Sequence, residues 1–106
     1  MDKKIYRIIS GYKQNLEALG IKVKRIVLYG SYASGKEKKN SDMDLVVISN
    51  SFKGIDTWKR LCLLGRARIG IDGPMEILGF TEEEYKAESD GTFIGDEVKA
   101  KGLAVI

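Results

Sequence analysis

Three short apolar runs set what this chain can become: RIVLYG at 25–30, MDLVVIS at 43–49 and MEILGF at 75–80. Each is brief, rich in β-branched or aromatic residues and bounded by polar or small residues, which is how a buried strand reads. The segments between them carry a helical period instead. Ile5, Ile8, Ile9, Tyr12, Leu16 and Leu19 recur at steps of three and four, predicting an amphipathic helix from Asp2 to Leu19 closed by Gly20. Asp56 or Thr57 caps a second helix with apolar positions Trp58, Leu61, Cys62, Leu64 and Ile69, ended by Gly70 and Gly73-Pro74. Thr81 and Glu84 have capping-box spacing at the head of a short helix running to Ser89. TFIGDEVKAKG then predicts a last helix that buries Phe93, Ile94 and Val98, followed by a terminal strand LAVI.

This order of elements belongs to an α/β (α+β) fold, a small mixed sheet flanked by helices, with the central helix as one right-handed crossover. At 106 residues there is room for a single domain, 1–106, whose active site is expected to be an open cleft. With 43% hydrophobic and 31% charged residues, a disordered chain is excluded. No apolar run approaches the roughly 18 residues of a membrane span, and the N-terminus MDKKIYRIIS lacks the apolar stretch of a secretory signal. The expected address is the cytoplasm.

Composition narrows the chemistry. With no histidine, neither a Ser-His-Asp triad nor a His-ligated zinc site can be built from the chain alone, so carboxylates carry any catalysis. The single cysteine, Cys62, forms no intramolecular disulfide and reads as a small hydrophobe, while Trp58 reads as core. Charge is uneven: residues 1–40 sum to +7 and residues 41–106 to −4. A basic part beside an acidic part suits carboxylates that hold cations near lysines that attract a nucleoside triphosphate; scattered solvated charge has the same composition.

Asp42 and Asp44 lie two apart in a strand-like segment, so both carboxylates project to one face and can grip one cation. Hard oxygen ligands with no imidazole or thiolate beside them select Mg2+ or Mn2+. The same spacing also arises where one Asp caps a turn and the other faces water. Upstream, a strand ends in Gly30-Ser31, where a small-residue turn exposes backbone N–H groups to phosphate and Ser31 adds a hydroxyl. Glu76 sits between Met75 and Ile77, where an acid in a core strand needs a partner and a metal would supply one; on an edge strand it would face water instead. Asp72 is the weaker third acid.

LYGSYASGKEKKNSDMDLVV resembles the signature of the minimal nucleotidyltransferases of the DNA polymerase β superfamily: Gly-Ser, ten residues, then Asp-x-Asp, with Tyr32 to Ser41 as the ten. PMEILGFTEEEY is similar to that family's third-carboxylate strand and the helix after it, and EVKAKGLAVI to its closing helix and strand, so the resemblance covers Lys24 to Ile106. It implies a polymerase β palm-like fold. Gly30 and Ser31 would contact the triphosphate, while Asp42, Asp44 and Glu76 would hold two Mg2+ ions, with Glu76 helping to deprotonate the acceptor hydroxyl. The chain departs from the family pattern at Ser34, where Arg is common, so Lys36, Lys38 or Lys39 would substitute, and at Glu76, where Asp is commoner.

Stand-alone members of this size resemble antitoxins of toxin–antitoxin pairs whose partner is a small helical HEPN-type protein. The resemblance therefore implies transfer of AMP from ATP to a partner hydroxyl, in a possible homo- or hetero-oligomer, with direct nucleic-acid binding not expected. The alternatives are a non-catalytic nucleotide-binding module that neutralises its partner by complex formation, and a nucleotidyltransferase acting on a small molecule.

Overall fold

The computed structural model describes residues 2–88 and 90–106, so the predicted helix end at Ser89 lies outside the described residues. Helix α1 spans Lys3–Ala18, with the Asp2 side chain accepting from the Lys4 N–H at its head. Strand β1 is Arg25–Tyr29, followed at once by a single helical turn, α2, Ser31–Ser34. Strand β2 is Met43–Ile48, and a 3-10 turn at Asn50–Phe52 leads to helix α3, Thr57–Arg66, capped by Asp56. Strand β3 is Met75–Phe80, and helix α4, Glu82–Ala87, opens with both halves of the Thr81–Glu84 capping box. A π-helical turn at Ile94–Lys99 and strand β4, Leu103–Ala104, close the chain.

The four strands form one mixed sheet in the order β3-β2-β1-β4. β1 runs antiparallel to β2 and β4, and β2 runs parallel to β3, so α3 is the crossover between parallel neighbours. The alternation of side chains divides the sheet into two faces. Ile26, Leu28, Leu45, Val47 and Ile77 point to α1, the 3-10 turn and α3, where they meet Ile9, Tyr12, Leu16, Phe52 and Leu64. Val27, Tyr29, Val46 and Ile48 point the other way, to Tyr85, Ile94 and Val98. On the first side α1 is also tied to α3: the Tyr12 hydroxyl donates to the Leu64 carbonyl (2.7 Å), and Asn15 Nδ2 donates to the carbonyls of Ala67 (2.8 Å) and Ile69 (3.0 Å). These side chains satisfy one carbonyl in the last turn of α3 and two just past its end.

Several expectations are corrected. Trp58, expected in the core, is 73% exposed, and Cys62, read as a small hydrophobe at an apolar position of the same helix, is exposed as well. The reason is angular: Leu64 is the residue of α3 that turns to the sheet, and Trp58 stands about 120° from it around the helix axis. Ile69 lies beyond the helix and is exposed. Phe93, expected to be buried with Ile94 and Val98, is 57% exposed, because those two alone enter the second core. The terminal strand is two residues long, although Val105 N–H still donates to the Ile26 carbonyl (2.9 Å). β3 is an edge strand with Glu76 exposed, so the core setting read for that acid does not hold.

Candidate active site

The parity of β2 decides where its acids point. Met43, Leu45 and Val47 enter the helix-covered core, so Asp44 lies on the opposite face with Val46 and Ile48. In the sheet register Asp44 is opposite Tyr29 of β1 on one side and Glu76 of β3 on the other. Tyr29, Asp44 and Glu76 therefore form one row across three strands. Asp42 precedes β2 by one residue and is exposed, whereas Asp44 is half-buried. Pairing of the two parallel strands starts just there, with Met43 N–H donating to the Pro74 carbonyl (3.0 Å).

Asp44 feels its neighbours. Its carboxyl is held above the usual aspartate range, first by burial and then by the charges of Glu76 and Asp42. Burial, followed by Asp44 and then Glu76, pushes the Tyr29 hydroxyl up to about 12. Both shifts come first from burial, and the neighbouring carboxylate charges add to it. Among the described residues no three acid or thiol side chains converge closely enough to hold one ion as they stand. The donors near the row are nevertheless all hard oxygens, a set that suits Mg2+ or Mn2+ and completes its shell with outside oxygen ligands.

Gly30 is pressed against this row. Its φ of 73° lies in the left-handed region, and a Cβ there would overlap Asp44 Oδ2. From Gly30 the chain enters α2, whose first turn has no side-chain cap; the Gly30 carbonyl accepts from the N–H groups of Ala33 (3.1 Å) and Ser34 (3.2 Å). The leading N–H groups of that turn have no partner within it. Ser31 is half-buried at the turn's first position, and its carbonyl accepts from Lys36 N–H (2.9 Å) and Ser34 Oγ (3.2 Å). Thus Gly30 and Asp44 are brought together, with Ser31 next to Gly30 in the chain, Glu76 opposite Asp44 in the register and Asp42 two residues before it. The Lys36 side chain is exposed in the loop after α2, and its backbone alone is fixed to the turn.

Asp42 and Glu76 are exposed, so the acids reach the surface at this end of the sheet. A groove lined by Asn50, Lys53, Thr81, Glu82 and Lys86 lies past the far ends of β2 and β3, the opposite end of the sheet. Sequence reasoning missed the neighbour of Tyr29: the Phe93 ring meets it edge-on, centroids 5.8 Å apart at 80°. No local pattern marks Phe93, since its place depends on how the π-helical turn packs on the sheet.

A model of the nucleotidyltransferase domain matches residues 8–99, which take in every residue of the row and the turn. No curated protein matches the chain. Among solved structures, a candidate nucleotidyltransferase of Sulfolobus solfataricus is similar at 16% identity and a TM-score of 0.67, over 95% of this chain and 78% of that one. A toxin–antitoxin structure with AMP-PNP is similar at 19% identity and 0.62, over 95% and 72%. A mutant of the toxin–antitoxin MntA-HpeT is similar at 18% and 0.57, over 94% and 70%. At these identities the three likenesses establish the fold, a mixed sheet with helices, while the match over 8–99 carries the assignment: the chain belongs to the nucleotidyltransferase domain family.

Proposed function

We propose that the chain transfers a nucleoside monophosphate, AMP from ATP, to a hydroxyl of a partner protein, with Mg2+ or Mn2+ held by Asp42, Asp44 and Glu76. The observation that carries this reading is the place of Asp44, in register with Glu76 and against Gly30, so that acids and turn share one end of the sheet. Two divalent ions, when bound there, would neutralise the triphosphate and stabilise the attacking and leaving oxygens of an in-line displacement.

The remaining work falls to the chain. Gly30, with no side chain in the way, lets phosphate approach the backbone, and Ser31 offers its hydroxyl as a donor. Lys36 adds positive charge from the following loop. The acceptor oxygen forms a bond to the α-phosphorus, the bond from that phosphorus to the bridging oxygen breaks, and pyrophosphate departs. Glu76, exposed beside Asp44, accepts the hydroxyl proton.

The partner reading is supported by solved toxin–antitoxin structures of this fold, one of them with AMP-PNP. On that basis the chain acts as an antitoxin in the cytoplasm, on a small helical HEPN-type protein encoded beside it. The test is intact-mass spectrometry of the chain mixed with that neighbour, Mg2+ and each nucleoside triphosphate in turn. A gain of one or more AMP units on the neighbour is expected with ATP, and none with Asp42→Asn or Asp44→Asn. Labelling that survives both substitutions would sink the carboxylate mechanism; a tight complex without labelling would favour a stoichiometric binding module.

A further inference from the structure

Helix α3 carries an apolar face that the packing of the chain does not use. Its inward side meets the sheet through Leu64, with Ala67 buried just past its end. Successive residues step by about 100° around the axis, so Trp58, Leu61, Cys62 and Gly65 form a separate stripe about 100° wide. All four are exposed, Leu61 to 44%. A stripe of that width is what a helix ordinarily buries, and contiguous exposed apolar side chains mark interaction sites.

The edges of the stripe differ. On one side Leu61 opens into a groove of about 480 Å3 between α3, β3 and α4, lined by Leu78, Phe80 and Ala87. On the other stand Lys59 and Arg66, seven residues apart, neither in an ion pair among the described residues. α3 contains no acidic residue. A second copy packed antiparallel, α3 on α3, would set basic edge against basic edge. A parallel pairing would lay the basic edge over Leu61, where Glu84 is already held by Arg60. Neither arrangement neutralises Lys59 and Arg66, whereas a helix bearing Asp or Glu along one edge does.

We infer that the outward face of α3 is the docking site for an amphipathic helix of a different protein, apolar along its centre and acidic along one edge. Trp58 is its anchor, a residue type that often dominates interface energetics. Cys62 and the unobstructed Gly65 let the partner backbone approach closely toward the other end. The inference does not depend on nucleotide transfer, and it gives the partner protein proposed above a place to bind.

Trp58 is the sole tryptophan, so its emission reports this face directly. The probes are two helical peptides of about five turns with Leu at i, i+3, i+4 and i+7, one with Glu along an edge and its twin with Lys there. The Glu peptide is expected to shift Trp58 emission to shorter wavelength and to bind about ten-fold more tightly than the Lys peptide. Lys59→Glu with Arg66→Glu should reverse that preference, and Arg7→Glu on α1 should change nothing. Equal binding of both peptides, or no shift with either, would overturn the inference. A shift that grows with protein concentration alone, together with dimer formation, would also overturn it by giving the face to a second copy. The helical neighbour supplies an independent arm: a complex that forms with Trp58 emission unshifted counts against the docking site whether or not AMP is transferred.

Discussion

At the residue scale, Asp44 sets function against stability. Its carboxyl is raised by burial, Glu76 and Asp42, so the folded chain holds a charge that the unfolded chain carries freely. The sign follows: at neutral pH the ionised Asp44 costs stability, and the cost vanishes as pH falls through its folded value toward the ordinary 3.8. Asp44→Asn is therefore expected to abolish transfer yet raise Tm at pH 7 by about 3 °C, roughly what 0.5 kcal/mol gives a domain of this size. Thermal melts without divalent cation should show the variant and the parent converging near pH 4, and an unchanged or lower Tm at pH 7 would refute the charge argument. Gly30→Ala acts oppositely. Its positive φ and the overlap with Asp44 Oδ2 predict a loss of about 1–2 kcal/mol in urea unfolding, together with loss of transfer as the carboxylate is displaced. Both residues were legible in the sequence, because a two-residue period and a glycine after a strand are local signals.

At the element scale, one arginine joins α3, the 3-10 turn, β3 and α4. Arg60 donates from Nε to the Ile55 carbonyl (2.7 Å), and its terminal nitrogens reach the carbonyls of Phe52 and Gly79 and both oxygens of Glu84. All five N–H donors of its planar fork are thereby used, and the guanidinium also lies over the Phe52 ring, 5.6 Å from its centroid. Arg60→Lys is expected to lose most of this, since an ammonium cannot span the fork; both it and Arg60→Ala should destabilise by about 3 kcal/mol in urea unfolding. Arg60 also holds the Glu84 carboxyl below its ordinary range. That contribution is present above about pH 4.5 and lost as pH falls through the folded value, so the acid limb of the stability curve should flatten in Arg60→Ala. The capping box at the same junction was legible, while Arg60 was not, because a bidentate partner 24 residues away leaves no local pattern. The same limit explains Trp58, Cys62 and Phe93. A helical period shows that an apolar stripe exists, but which stripe meets the sheet is settled by the strands beneath it.

At the scale of the whole molecule, the candidate site is assembled from segments that fold for other reasons. β1 supplies Tyr29 and the turn at Gly30, β2 supplies Asp44, and the crossover through α3 brings Glu76 alongside. The sequence pattern could identify each strand, but only parallel pairing of β2 with β3 sets Glu76 opposite Asp44. In this arrangement the acids crowd one another without closing around an ion. A cation would relieve their repulsion, yet much of its coordination would have to come from phosphate oxygens. Cation and nucleotide should therefore bind as a linked pair. In thermal melts, millimolar Mg2+ alone is expected to raise Tm by under about 1 °C and ATP alone by a similar amount, while both together raise it by about 5 °C or more. Shifts that merely add would mean that the two ligands occupy independent sites, and a full shift with Mg2+ alone would mean that the carboxylates close around the ion unaided. Asp42→Asn with Asp44→Asn should erase the joint shift while leaving the apo fold intact, which separates linkage at this row from weak binding of ATP to the lysines elsewhere on the surface.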